Sequence, residues 1–218
     1  MSEDIHAILP TLFESDTRAT ILEVGCHFGH DSLRMRDAFP QARIICFEPD
    51  PRNIYTLKKG DIHRSVTLVE AAVSDADGHT TMHLSSGLPP KVTKAAAPQG
   101  WTASSSIKKP IGAAKQFSWL TFPQTARVRT VRLDTFCAEQ GIGEVGLIWA
   151  DVQGAEAEMI AGAQHTLSRT RYLFTEFGFE GLYEGEIGAE EVIARLPGSW
   201  KVLHRWSHDM LLRNTTVK

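Results

Sequence analysis

The stretch from Ile21 to Ser32 restricts the fold of this chain more than any other. An apolar run, Ala19 to Val24, is read as a buried strand. It breaks at once into a loop bracketed by Gly25 and Gly29, and Ser32 opens a helical run after it. Glycine at both loop positions lets the backbone turn sharply and lets a ligand come close. The free N–H groups at the start of the helix suit an anionic group. With the acid Glu23 beside it, this strand–loop–helix is a cradle for a small polar molecule.

The rest of the chain extends that unit. Residues 43–47 form a continuous apolar run closed by Glu48-Pro49-Asp50-Pro51, as a buried parallel strand would. Further strands are expected at 65–70, 127–133, 146–150 and 172–177, with an antiparallel closing pair at 200–204 and 209–213. Helices are expected before the first strand at 5–13, after the glycine loop as far as Phe39-Pro40, and at 53–60, 154–167 and 190–196. Asp134 is expected to cap a helix starting at Thr135. Residues 15–18 read as a turn, and 80–84 as a hairpin strand around Asp77-Gly78. Alternating strands and helices argue for a doubly wound α/β sheet. From 85 to 126 no period is visible, and Trp101, Trp119 and Phe122 favour a lid over a solvated loop. The expectation is one domain over 1–218 with an insertion at about 85–126.

Composition serves mainly to exclude. The 218 residues are 42% hydrophobic and 22% charged, with a formal charge of −3. That balance gives no general case for a nucleic-acid or anionic-membrane binder, although it leaves room for a local basic patch. Cys26, Cys46 and Cys137 are widely spaced and odd in number, with no CxxC pair for zinc and no disulfide framework; two of them fall at or next to expected strands and are read as buried thiols. No signal peptide or membrane-spanning run is visible, so a cytoplasmic protein is expected.

In an open α/β sheet, ligands bind beyond the carboxyl ends of the strands. Acids stand at several of those ends: Glu23, Glu48, Asp75, Asp151 and Glu176. Glu48 lies 23 residues after Gly25, where a carboxylate can accept both hydroxyls of a ribose. The ligand therefore contains a nucleoside. The glycine spacing is GxxxG, not the GxGxxG that closes on a pyrophosphate, and Glu23 suits an amino group. A methionine moiety fits better than a diphosphate.

These blocks together resemble the FkbM family of S-adenosylmethionine-dependent methyltransferases, from about Ala19 to Arg213. The likeness rests on LeuGluValGlyCysHisPheGlyHisAspSer (22–32), CysPheGluProAspPro (46–51) and GluAlaAlaValSerAsp (70–75). It continues in ValArgLeuAspThrPhe (131–136), AlaAspValGlnGlyAlaGluAlaGluMetIleAlaGly (150–162) and HisAspMetLeuLeuArg (208–213). The resemblance implies a three-layer Rossmann-like class I methyltransferase fold, with a mostly parallel seven-stranded sheet and an antiparallel last strand. It implies O-methylation of a saccharide or secondary metabolite. On that basis Gly25, Gly29 and Ser32 line the methionine end, Glu48 holds the ribose, Ala72 and Val73, with Asp75, flank the adenine, and Asp151 faces the sulfonium and the acceptor. Glu23, His27 and Pro49 complete the expected cofactor-binding set. The chain departs from the family at Trp149 and Gln153, which stand where Lys and Glu are usual.

Methyl transfer to an alcohol needs the hydroxyl proton removed as the bond forms. Asp151, Glu176 and His27 are the candidate bases, with no metal site expected. The expected partners are S-adenosylmethionine, whose product is S-adenosylhomocysteine, and a small-molecule or saccharide acceptor. Neither nucleic acid nor membrane is expected, and the protein is read as a monomer or homodimer. Two other readings stay open. One is a domain that binds the cofactor without catalysis, suggested by Trp149 and Gln153. The other is an NAD-type oxidoreductase, which the missing GxGxxG disfavours.

Overall fold

The computed structural model describes residues 4–14, 18–95, 97–178 and 181–217. The turn expected at 15–18 falls largely outside them. The chain opens with helix α1 (Ile5–Ile8) and continues through β1 (Thr20–Val24), α2 (His30–Ala38), β2 (Arg43–Phe47), α3 (Pro51–Lys59) and β3 (Thr67–Val69). Three strands and a short helix follow: β4 (Ala72–Val73), β5 (Gly78–Gly87), α4 (Ala113–Gln116) and β6 (Leu120–Val131). The second half comprises α5 (Leu133–Glu139), β7 (Val145–Ala150), α6 (Glu156–Ala161), α7 (Gln164–Ser168), β8 (Thr170–Glu176), α8 (Ala189–Arg195), β9 (Trp200–Arg205) and β10 (Asp209–Asn214).

Seven strands form one sheet in the order β3-β2-β1-β7-β8-β10-β9. The first five are parallel, and β10 runs antiparallel to both of its neighbours. Alternation along the strands divides the core in two. Leu22, Val24, Ile45, Phe47, Ile148 and Ala150 pack on one face against Leu133, Met159, Leu167 and Val192 of α5–α8. Ile21, Ile44, Cys46, Leu147 and Trp149 pack on the other against Ile8, Met35, Phe39 and Leu57. Both faces are covered, which is why the strands read as unbroken apolar runs.

Several local expectations are corrected. Residues 80–84 belong to a longer strand whose partner is not the preceding segment: β5 pairs antiparallel with β6, and β4 pairs parallel with β6, in a separate three-stranded sheet. The strand expected at 127–133 thus lies outside the main sheet, and ordered ribbon extends into both ends of the aperiodic stretch. The helix expected over 154–167 is two helices. It breaks at Gly162, where a Cβ would lie 2.0 Å from the Ser74 carbonyl oxygen, so the chain must pass close to that backbone. Asp134 caps a different helix from the one expected. Its carboxylate accepts the backbone N–H groups of His165 and Thr166, at 3.1 and 2.7 Å, and so holds the start of α7.

Candidate active site

A cavity of about 190 Å³ opens beyond the carboxyl ends of β1, β2 and β7. Its floor is the glycine loop. Gly25 adopts φ +88°, and a Cβ there would lie 1.9 Å from the Asp151 carbonyl oxygen, so a side chain is excluded on both counts. The loop is fixed by N–H bonds from Gly25 and Cys26 to the Phe47 carbonyl, at 2.9 and 3.1 Å. Asp151 N–H is fixed on the Val24 carbonyl at 2.9 Å.

Of the residues expected to hold a cofactor, Gly25, His27, Glu48, Pro49, Ala72, Val73 and Asp151 line this cavity. Glu23, Gly29 and Ser32 are not among its lining residues. Glu23 pairs in register with Cys46, and its buried carboxyl accepts the Ser32 hydroxyl and the Cys46 thiol. Burial, reinforced by Cys46, pushes its pKa well above the usual carboxylate range. Gly29 is the N-cap of α2, with φ +74°. The acid that reaches the cavity from this region is Asp31, in the first turn of α2, which also bonds Arg34 at 3.1 Å. An acid in a first helical turn reads in sequence as a dipole partner; only the packing turns this one to the cavity.

Glu48 is buried and held by three N–H donors. His27 N–H bonds Oε2 at 2.8 Å, while Asp50 N–H and Asn53 Nδ2 bond Oε1 at 2.8 and 3.2 Å. Burial still outweighs these donors and lifts its pKa to about 8. Beside it, Asn53 Oδ1 is buried with no hydrogen-bond partner among the described residues. The adjoining wall, formed by Phe47, Ala72, Val73, Met82 and Ile107, is apolar.

Across Gly25 from Glu48 stands Asp151. Gln153 Nε2 donates to Asp151 Oδ1 at 2.7 Å and to Glu176 Oε2 at 3.0 Å, so one amide bridges the two acids. Removal from water raises both pKa values. Glu176 is raised further, because the Asp151 charge opposes its ionisation. The two acids titrate as a coupled pair held above the usual carboxylate range, and Asp151 is the member that lines the cavity. His27 has its pKa lowered to about 4 by burial and by the charge of His30, and its Nε2 lies 2.8 Å from the Thr102 hydroxyl. Trp149 lines the cavity and packs against Phe174, with ring centroids 4.1 Å apart.

Residues 101–107 contribute a wall that the periodicity of the sequence did not reveal. Thr102 meets His27, and the Ser105 hydroxyl donates to Asp50 at 2.9 Å. The Ser106 hydroxyl donates to the Gln153 carbonyl at 2.7 Å. Tyr183 ties the segment down from the other side, donating to the Ser104 carbonyl at 2.7 Å.

Comparison with known proteins places these features in context. A model of the methyltransferase FkbM domain matches residues 23–206. The 2-O-methyltransferase NoeI of Sinorhizobium fredii (strain NBRC 101917 / NGR234) is 35% identical over 219 residues, which cover 98% of this chain and 86% of that protein. Among solved structures, the N-terminal domain of EvdMO1, in the presence of SAH and D-fucose, aligns with a TM-score of 0.48 at 13% identity. That alignment covers 97% of this chain and 83% of the other. Precorrin-6y C5,15-methyltransferase from Geobacter metallireducens GS-15 aligns with a TM-score of 0.48 at 10% identity, over 96% and 88% of the two chains.

Proposed function

The chain belongs to the FkbM family of methyltransferases, and on that premise we propose that it methylates a hydroxyl oxygen of a saccharide or secondary metabolite, using S-adenosylmethionine. The observation that carries this reading is the cavity, with Glu48 on one side of Gly25 and Asp151 on the other. Glu48 and the unpartnered Asn53 Oδ1 are acceptors suited to the hydroxyl donors of a ribose. The apolar wall of Phe47, Ala72, Val73 and Met82 suits an adenine ring, and Asp31 suits an ammonium group. When bound, the cofactor supplies a methyl group already activated on a sulfonium.

The protein's own work is then to orient the acceptor and remove one proton. Asp151 is the base we assign. It lines the cavity, and its raised pKa makes it a stronger base than a surface aspartate. Glu176 and Gln153 position it. His27, neutral and bonded to Thr102, joins the glycine loop to the 101–107 segment, which we read as a lid on a single domain. Among the described residues, no helix is long and apolar enough to cross a membrane.

Calorimetric titration with S-adenosylhomocysteine and with NAD tests the cofactor, and transfer of labelled methyl into hydroxyl-rich glycans tests the reaction. Tight binding of the homocysteine product together with incorporated label is expected. Binding of NAD alone would overturn the reading, and product binding without transfer would point to a domain that has lost catalysis.

A further inference from the structure

The region that supplies the cavity wall is electrostatically unlike the rest of the chain. Residues 78–133 contain eight Lys and Arg and no Asp or Glu, which leaves 15 basic against 26 acidic side chains elsewhere. Three of the eight have acids close by: Lys108 pairs with Glu158, Arg132 lies 3.6 Å from Asp134, and the charge of Arg129 acts on Asp77. Lys91, Lys94, Lys109 and Lys115 are exposed, and none of them makes an ion pair among the described residues.

The same region carries exposed apolar side chains. Ile111 is 49% exposed and Phe117 is 38% exposed, and they flank Lys115 around the single turn of α4. That turn is fixed rather than floppy: the N–H groups of Ile111 and Gly112 bond the Leu182 carbonyl at 2.9 and 3.1 Å. Aromatic contacts lead on from it. Phe117 meets Trp119 at 6.0 Å between centroids, and Trp119 meets Trp101 edge-on at 5.6 Å. Gln99 then reaches Thr56 on α3 at 3.4 Å, next to Tyr55, which is 56% exposed and has Lys59 over its ring. Among the described residues, three of the four large exposed apolar side chains thus lie on α4's flanks or on the α3 turn that Gln99 reaches; the fourth, Leu203, is on the edge strand β9. Among the described residues, acids at the α4 end include Glu184, whose N–H bonds the Lys109 carbonyl, and Glu186, whose carboxylate is occupied by the N–H groups of Gly181, Leu182 and Tyr183.

We infer that this surface docks the protein onto an anionic lipid bilayer, with Ile111 and Phe117 entering the interface and Lys91, Lys94, Lys109 and Lys115 facing the headgroups. Lysines alone would fit any polyanion. Exposed Ile and Phe beside them favour a surface with an apolar layer beneath its charge, the combination that holds peripheral proteins at membranes. The expectation of no membrane partner came from the whole-chain charge, which hides this segregation.

Vesicle flotation of the full chain tests the inference. With vesicles of phosphatidylcholine plus about 30 mol% phosphatidylglycerol, the protein is expected to float at low salt and to stay behind in about 0.5 M salt. With phosphatidylcholine alone it should not float. The pair Lys109→Glu/Lys115→Glu and the pair Ile111→Ser/Phe117→Ser should each reduce the bound fraction about tenfold, with melting curves confirming that both remain folded. Equal flotation of wild type and variants, or no flotation with either vesicle, overturns the inference. So does retention on heparin without flotation, which would assign the surface to a soluble polyanion.

Discussion

In the proposed reading cofactor recognition turns on Glu48, and its surroundings make a measurable demand. Its pKa is lifted to about 8, while ribose hydroxyls donate best to the ionised carboxylate. Binding therefore favours loss of its proton. Affinity for S-adenosylhomocysteine is expected to rise as pH rises towards about 8, and calorimetry in buffers of unequal ionisation heat should detect the proton released. Glu48→Ala should weaken that affinity by roughly 1.5–3 kcal/mol for each charge-assisted bond lost. For Asp151→Asn the expected loss falls on turnover, about 10²–10⁴-fold, with product affinity changed little. The acid limb of the wild-type rate should lie above the range of an ordinary aspartate, because the Asp151 pKa is raised. Glu48 and Asp151 were legible because each ends an apolar run. Glu23 was legible as an acid but not as an inward one: it shares its face of the strand with Ile21, so its carboxyl meets Cys46 and Ser32 instead of the cavity.

At the scale of elements, the glycine loop and the β5–β6 ribbon behave differently. The loop is dictated locally. Gly25→Ala must accommodate a Cβ 1.9 Å from a carbonyl oxygen at φ +88°, so a lowered melting temperature and loss of product binding are expected together, read by thermal denaturation with and without S-adenosylhomocysteine. The ribbon is not local. Met82 faces Ala126 and Thr80 faces Val128, more than forty residues along the chain. The alternation over 80–84 announced a strand but could not name its partner, and the nearby Asp77-Gly78 pair suggested the wrong one. Asp77 instead accepts Arg132 N–H and the Thr135 hydroxyl, tying the base of the ribbon to α5. Asp134 was misread for the same reason, because its capping targets are 31 and 32 residues away.

The whole molecule carries a cost in buried acids. Glu48 and Glu156 both have pKa values raised to about 8 by burial, and Glu156 Oε2 has no hydrogen-bond partner among the described residues. In the unfolded chain each ionises near 4.5. Their contribution to stability is therefore complete below that value and is lost as pH rises through about 8. The melting temperature is expected to fall by several degrees between about pH 5 and pH 9, at roughly 2–4 °C for each kcal/mol. Glu156→Gln, which cannot ionise, should flatten that fall; a scanning-calorimetry series across pH would measure both.

The sequence by itself determined the sheet, the glycine loop and the two acids on either side of it. Each of these rests on a short-range pattern: an apolar run, a GxxxG spacing, or an acid at the end of a strand. Tertiary structure alone decided which side of a strand or helix each acid faces, and so it exchanged Glu23 for Asp31 at the cavity. It also brought Thr102, Ser105 and Ser106 down onto His27, Asp50 and Gln153. Those contacts join segments 47 to 75 residues apart, and a hydroxyl's partner at that distance leaves no trace in local periodicity.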